Sequence, residues 1–446
     1  MGKIIKEKLK PLIKIKPPGP KAKEYLKKDS KFISPSYTRV YPLVVEKGEG
    51  CWIYDVDGNK YLDLNAGVAV CALGHAHPEI LKVIKEQSEK FIHYSGTDFY
   101  YPPEILLAEK LAEIVPGAQN RKVFFSNSGA EAIECALKLV KYHTKRHYLI
   151  AFYSAFHGRT MGALSLTASK EIHRKGFYSL VPGIYHVFYP YCYRCVFKLS
   201  YPDCNFYCAE IIEEILLKKV VSPEEIAAIF FEPIQGEGGY IVPPPGYFNK
   251  LKEIADKYDI LLVDDEIQAG MGRTGKFFAI EHWGIIPDIV TVAKGIASGL
   301  PLGACIAKSG IMSWKPGSHA STFGGNPVAC MVALKVIEIL ENGLLENVRK
   351  TGEYLINLLK NLEKKYDIIG DVRGKGLMVG VEIVKDKIKK ERDKTKRDKI
   401  VYKCFEKGIL LLPAGENVIR FCPPLVISKN EIDVGIEIFE EVLKEI

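Results

Sequence analysis

Residues 260–268 read Ile-Leu-Leu-Val-Asp-Asp-Glu-Ile-Gln, an apolar run that stops on three consecutive acids. A short, continuous apolar run without polar alternation predicts a strand buried on both faces, as parallel sheets require. The pattern recurs as Val-Phe-Phe at 123–125, Tyr-Leu-Ile-Ala-Phe at 148–152, Ala-Ala-Ile-Phe-Phe-Glu-Pro at 227–233 and Asp-Ile-Val-Thr-Val-Ala-Lys at 288–294. Helical stretches alternate with these runs, as at 129–142. The predicted fold class is therefore α/β, a large domain with a mostly parallel central sheet. After residue 330 the pattern changes to long helices, 328–341 and 346–365, and to strand-like segments at 377–384 and 409–413. This predicts a second, smaller α+β domain. Residues 49–64 read as a hairpin around Asp57-Gly58, a turn pair that tolerates positive φ. The expected division is a basic arm over 1–45, a small domain from 46–75 and 331–446, and a large domain over 76–330.

With 446 residues, 47% of them hydrophobic and 26% charged, the chain is globular rather than disordered. It lacks any run of about 18 apolar residues, the length a membrane helix needs. Pro11, Pro17, Pro18 and Pro20 interrupt any secretory signal, so a cytoplasmic protein is expected. The net charge of +8 is carried by residues 1–28, where ten lysines oppose Glu7 and Glu24. This tail lacks the aromatic or Arg-rich pattern of a nucleic-acid or membrane binder, and reads as a solvated arm lying along a neighbouring subunit. The mixed-sign run at 385–399 reads as an exposed helix or loop, and heavy Lys and Glu use leans toward a thermophilic source.

Three strand ends carry chemistry. Ser126-Asn127-Ser128-Gly129-Ala130-Glu131 follows Val-Phe-Phe and opens a helix, whose free N–H groups suit either a phosphate or an ordinary side-chain cap. Asp265, Glu266 and Gln268 follow the strand at 260, on the edge where α/β sheets bind ligands. An acid there can pair with a protonated pyridine nitrogen. Lys294 closes the strand at 288; many strand-end lysines only reach for water, but burial would free this amine for imine chemistry.

Six motifs together resemble the class III aminotransferases, in order and spacing, over about residues 40–445. They are Ser-Gly-Ala-Glu-Ala at 128–132, Phe-His-Gly-Arg-Thr at 156–160, Glu-Pro-Ile-Gln-Gly-Glu-Gly-Gly at 232–239, Asp-Glu-Ile-Gln at 265–268 with Gly-Arg-Thr-Gly at 272–275, Ala-Lys-Gly at 293–295, and Thr-Phe-Gly-Gly-Asn-Pro at 322–327. The resemblance implies a fold type I transferase, a homodimer or higher homo-oligomer with active sites between subunits, and pyridoxal 5′-phosphate as cofactor. It makes Lys294 the Schiff-base lysine and proton shuttle, Asp265 the partner of the pyridine nitrogen, Gln268 the contact of the phenolic O3′ and Phe156 the ring stacked on the cofactor. Ser128, Gly129 and Ala130 would hold the phosphate, with Thr322 reaching in from the other subunit. Arg159 would grip a substrate carboxylate. Arg420, in Asn-Val-Ile-Arg-Phe, would bind the α-carboxylate of 2-oxoglutarate, and Glu237 would neutralise Arg420 when an ω-amino donor occupies the site.

The implied reaction moves the amino group of an ω-amino acid, such as 4-aminobutyrate or ornithine, to 2-oxoglutarate; N-acetylornithine is a further donor. Ornithine-type members often carry Tyr where Val68 stands, and an aliphatic residue there resembles the 4-aminobutyrate type. The alternative is an amino-acid racemase on the same cofactor, with Glu237 as the second base. A non-enzymatic binding protein would be expected to lack Lys294 or Asp265. Gly270 to Gly275 fits the spacing G-x-G-x-x-G but does not follow a strand directly or open a helix, which a dinucleotide site needs. His75 and His77 stand without further ligands at metal spacing and read as a structural turn. Cys71, Cys135, Cys305, Cys330 and Cys422 read as small core residues. Cys192, Cys195, Cys204 and Cys208 stand apart in an aromatic loop outside the family pattern. Their spacing leaves a zinc site, disulfides or free thiols open.

Overall fold

A computed structural model describes residues 10–118 and 120–446. The chain divides into two compact units, one of residues 79–345 and one of 1–78 with 346–446. In the 79–345 unit seven strands form one sheet. They are β1 (Arg121–Ser126), β2 (Tyr148–Phe152), β3 (Ile184–Val187), β4 (Ile226–Phe231), β5 (Leu261–Asp265), β6 (Ile289–Val292) and β7 (Gly303–Lys308), in the order β1-β7-β6-β5-β4-β2-β3. The pairs β2–β3, β2–β4, β4–β5 and β5–β6 are parallel, whereas β7 runs antiparallel to both neighbours. This is an α/β sheet of the fold type I kind. The strand C-termini of β1, β2, β4, β5 and β6 therefore share one edge.

The apolar runs form strands because both sheet faces are covered. All six residues of β4 and all four of β6 are buried. Helix α1 (Gly129–Thr144) lays Ile133, Ala136, Leu137 and Val140 into the core, against Leu149, Phe230 and Val263. Each of the larger ones, Ile133, Leu137 and Val140, contributes about 1.5–3 kcal/mol on burial. Ser128 caps the helix by accepting from the Glu131 N–H at 3.3 Å, and Lys145 ends it in left-handed conformation at φ 60°. The sequence reading did not single out β3 or β7. The segment Gly-Ala-Cys-Ile-Ala-Lys of β7 looks like a loop by composition, but its pairing with both β1 and β6 makes it a central strand.

In the other unit, a four-stranded sheet joins Val45–Glu49, Trp52–Asp55, Lys60–Asp63 and Ile409–Leu410. The second sheet is built on Ile369–Lys375, Met378–Asp386, Val418–Phe421 and Leu412–Ala414. The mixed-charge run at 385–399 enters the helix Lys394–Glu406, whose Ile400, Val401, Cys404 and Phe405 are buried. The described part of the N-terminal arm is held by residues of the chain's own unit. Pro20–Phe32 is a helix whose first N–H groups, from Lys21 and Ala22, are both accepted by the Asp57 carboxylate at 2.9 Å. Leu12 forms a two-bond bridge with Lys60, so the hairpin of the chain's own unit holds this segment. A carboxylate at a helix N-terminus satisfies orphan donors and opposes the helix dipole. Residues 1–9 lie outside the described part.

His75 belongs to this unit as a structural group. Its Nε2 lies 2.8 Å from Asp63 Oδ2, while Asp63 Oδ1 accepts from the Asn65 and Ala66 N–H groups at 2.9 Å. Hydrogen bonds to Asp63 and then Cys71 outweigh burial and push the imidazole from its ordinary 6.5 up to about 10. A raised value means that the protonated form is stabilised by folding. That contribution is whole below pH 6.5 and disappears as pH rises through about 10. The variant His75→Asn should therefore lose about 1.5–3 kcal/mol of stability near pH 6, the scale of a charge-assisted bond. The wild-type-minus-variant difference should shrink above pH 10, and denaturant titrations at both pH values measure it.

Candidate active site

The strand edge of the 79–345 unit gathers residues from five segments. Asp265, 3% exposed at the end of β5, accepts the Ile267 N–H through Oδ1 at 3.0 Å. Its Oδ2 lies 2.7 Å from Nδ1 of His157, a fully enclosed side chain. Burial opposes a charge on His157, but the Asp265 hydrogen bond and the Asp265 and Glu232 charges overcome it and raise the imidazole above its ordinary value. Glu232 follows β4 and accepts the Phe156 and Gly236 N–H groups, each at 2.8 Å. Burial chiefly, countered by His157, moves its carboxyl up to about 7.

The loop after β2 carries Phe156, His157 and Arg159 and lies directly on the start of helix α1. At Gly158, with φ 141°, an added Cβ would stand 2.8 Å from the Ala130 Cβ, so only glycine allows this approach. Arg159 is exposed, with its guanidinium carbon 5.6 Å from the Phe156 ring centroid. The same ring meets His173 edge-on at 5.5 Å. Gly236 passes so near Gln268 that a Cβ would lie 2.2 Å from its Nε2. This brings the 232–239 segment onto the Asp265–Gln268 segment. Glu237 then forms an ion pair with Lys170 Nζ at 2.5 Å, with side-chain exposures of 18% and 34%.

Lys294 follows β6, which pairs with β5 in a register that sets Thr291 opposite Asp265. Its backbone is left-handed at φ 47°, uncommon for a residue other than glycine and a recurrent mark of functional sites. Gly303 of β7 stands opposite Ser126, ahead of Ser128, Gly129 and Ala130. Thr322 is exposed, and its neighbour Ser321 accepts from Asn127 Nδ2 at 3.3 Å, so the 321–326 turn lies beside the helix start. The unit of 1–78 and 346–446 carries the other two residues singled out by sequence. Val68 sits in a run of positive φ from Ala66 to Ala69, at 65° itself, held by Asp63 and by Asn65 Oδ1, which accepts the Gly67 N–H. Arg420 is 6% exposed on the strand Val418–Phe421, opposite Gly380 and Leu412.

Sequence reasoning missed His157, Glu232 and Lys170. The first two stand inside quoted motifs, and their position there was the available signal. Lys170 stands outside every motif. The cysteines Cys192, Cys195, Cys204 and Cys208 line one small cavity of about 30 Å³ with Phe206 and Tyr207. All four are free thiols, and among the described residues no three His, Cys, Asp or Glu side chains are grouped to hold a metal ion. Burial, with the nearby cysteines, pushes the Cys208 thiol up to about 12, which favours unreactive thiol over thiolate.

A model of the aminotransferase class-III family matches residues 32–443. The acetylornithine aminotransferase of Caldanaerobacter subterraneus is 41% identical over 425 residues, covering 94% of this chain and 98% of that one. The alanine/serine racemase of Pyrococcus horikoshii is 40% identical over 443 residues, covering 98% and 93%. Among solved structures, the ω-transaminase from Pseudomonas jessenii in complex with PMP aligns with a TM-score of 0.88 and 31% identity over 94% of this chain and 97% of that one. The chain belongs to the class III aminotransferase family, enzymes that use pyridoxal phosphate.

The residues present fit that cofactor. The Gln268 Oε1 and His157 Nε2 atoms are buried without a hydrogen-bond partner, so the site keeps polar capacity in reserve. Helix α1 offers its N-terminus to a phosphate, and Asp265 is held rigidly at the strand end. On this basis Asp265→Asn should keep the fold and lower kcat/KM by about a thousandfold, because a neutral amide cannot hold a ring nitrogen protonated. His157→Asn should cost about ten- to a hundredfold, the usual toll for an outer-layer partner. Steady-state kinetics on cofactor-saturated protein test both. An Asp265→Asn variant that keeps more than about a tenth of the rate, a loss below ~1.4 kcal/mol, overturns the assignment.

Proposed function

We propose that this chain is a transaminase that moves the amino group of an ω-amino acid, of the 4-aminobutyrate or ornithine type, to 2-oxoglutarate. The observation that carries this reading is the Arg159 guanidinium standing 5.6 Å from the Phe156 ring. It sets a planar cation suited to bidentate carboxylate binding beside the ring read as the cofactor's stacking partner. An ω-amino donor presents its carboxylate far from its reacting amine, and Arg159 would hold that end. The motif match supports Arg420 as the group for the α-carboxylate of the 2-oxo acid. The aliphatic Val68 favours the 4-aminobutyrate type of donor. A cytoplasmic homodimer is part of the same proposal, supported by the family resemblance.

Pyridoxal phosphate, when bound, supplies an electron sink for the substrate bond that breaks. Ser128, Gly129 and Ala130 would hold its phosphate, with Thr322 of a second copy. Phe156 would cover its ring, Gln268 would meet its phenolic oxygen and Asp265 its ring nitrogen. Lys294 would take the proton from the substrate carbon and return it one position along. His157, hydrogen-bonded to Asp265, would keep that carboxylate oriented.

A second reading, an amino-acid racemase, is favoured by the 40% identity to the alanine/serine racemase over 98% of the chain. The two are separated by adding single amino acids to the holoenzyme, following the cofactor spectrum and assaying each amino acid for racemisation. The transaminase reading expects 4-aminobutyrate or ornithine to change the spectrum, with 2-oxoglutarate restoring it. Rapid racemisation of an α-amino acid without a 2-oxo acid overturns it. Arg159→Ala should weaken donor and acceptor half-reactions alike by about ten- to a hundredfold, one charge-assisted contact of ~1.5–3 kcal/mol, and Arg420→Ala mainly the acceptor one. Single-turnover kinetics of each half-reaction read this pattern. Borohydride reduction of the holoenzyme and peptide mapping should place the pyridoxyl label on Lys294, and a label on another lysine would overturn its role.

A further inference from the structure

Glu237 stands in the 232–239 segment, which packs on Gln268 through Gly236, and it is the residue that the racemase alternative would use as its second base. Its carboxylate meets the Lys170 ammonium at 2.5 Å, and neither partner is more than about a third exposed. Lys170 follows the helix Met161–Leu166, which comes after the 156–160 loop, and directly precedes the short helix Glu171–Arg174. The charges of Arg159, Glu237 and Lys170 all act on His173, which is itself 6% exposed and packed on Phe156. One compact group of Phe156, Arg159, Lys170, His173 and Glu237 therefore borders the proposed cofactor face. The family motifs do not include Lys170.

Racemisation and transamination share their first event, removal of the substrate α-proton by Lys294. They diverge at reprotonation. Racemisation rebuilds the same Cα–H bond from the opposite face, with no net oxidation and with the electron pair held on the cofactor between the two events. It needs a second group there that can pass between acid and carboxylate. A carboxylate bound to an ammonium stays ionised and gives up little time as an acid.

We propose that Lys170 is a positioning residue that withholds Glu237 from proton transfer and so commits the site to amino transfer over inversion of the α-carbon; this rests on the transaminase reading above. Lys170→Met removes the ammonium while keeping most of the stem. It should raise the ratio of α-deuterium exchange to transamination, measured in D2O with glutamate, the amino acid formed from 2-oxoglutarate, by at least about tenfold. Racemised glutamate should appear alongside, and a further Glu237→Gln change should remove both gains. Lys170→Gln repeats the test should the Met variant fold poorly, and Lys170→Arg should restore the wild-type ratio. Difference infrared spectroscopy supplies a readout independent of turnover. The protonated-carboxyl band of Glu237, identified by its loss in Glu237→Gln, should appear at higher pH in Lys170→Met than in the wild type. An unchanged exchange ratio or an unmoved band overturns the role of Lys170 and leaves the transaminase reading standing. Wild-type protein that racemises glutamate as fast as it transaminates it overturns both.

Discussion

The arrangement of this site depends on keeping one negative charge buried at the end of a strand. Asp264, Asp265 and Glu266 are consecutive and at most 3% exposed. Side chains alternate along a strand, so Asp265 faces away from its two neighbours. Burial first, and the neighbouring carboxyls next, raise Asp264 well above the usual carboxylate range, and burial raises Glu266 to about 8. Those two acids are thereby eased toward neutrality. Asp265 instead faces an enclosed histidine at 2.7 Å. A buried ion pair contributes little net stability against its desolvation cost, but losing one partner is expensive. The His157–Asp265 pair is thus better understood as fixing the position of a charge than as holding the fold together.

That requirement propagates outward. His157 can reach Asp265 only if the loop after β2 closes onto the start of helix α1, and Gly158 makes that contact possible. Glu232 ties the same loop to the segment after β4 by accepting both the Phe156 and Gly236 N–H groups. The loops that follow two strands are thereby linked by one carboxylate. The left-handed backbone of Lys294 is a further cost, about 1–3 kcal/mol for such a conformation. It is sustained by a strand with every residue buried and by the sheet pairing on both of its sides.

Relatives of different activity share this framework. Identities of 41% to an acetylornithine aminotransferase and 40% to an alanine/serine racemase cannot separate the two chemistries, since the scaffold is common to both. What separates them physically is the availability of a second proton donor. Such a property depends on the charge environment of one carboxylate. In this protein that carboxylate is paired with Lys170, a contact across 67 positions of sequence.

Much of the site was legible in the sequence because its parts are local. Continuous apolar runs declared the buried strands, and each was followed by the group it presents: Ser128, Asp265 and Lys294. The helix starting at Gly129 was readable from its cap and its periodic apolar face. The strand Gly303–Lys308 was not, because its small residues are made a strand only by pairing with β1 and β6. The lysines of the N-terminal helix are exposed, as a solvated arm requires, and Asp57, about 35 residues away, caps that helix and ties it to the chain's own hairpin, a contact that sequence did not announce. Cysteine spacing left three states open, and packing brings all four side chains to line one small cavity. The sequence by itself thus determined the family, most of the sheet and which residues stand at the strand ends, since those are written in periodicity and in contiguous motifs. Only the tertiary structure decided the partners of the charges, His157 for Asp265 and Lys170 for Glu237. Electrostatic pairing depends on distance in space, and the strand order, not the chain order, sets that distance.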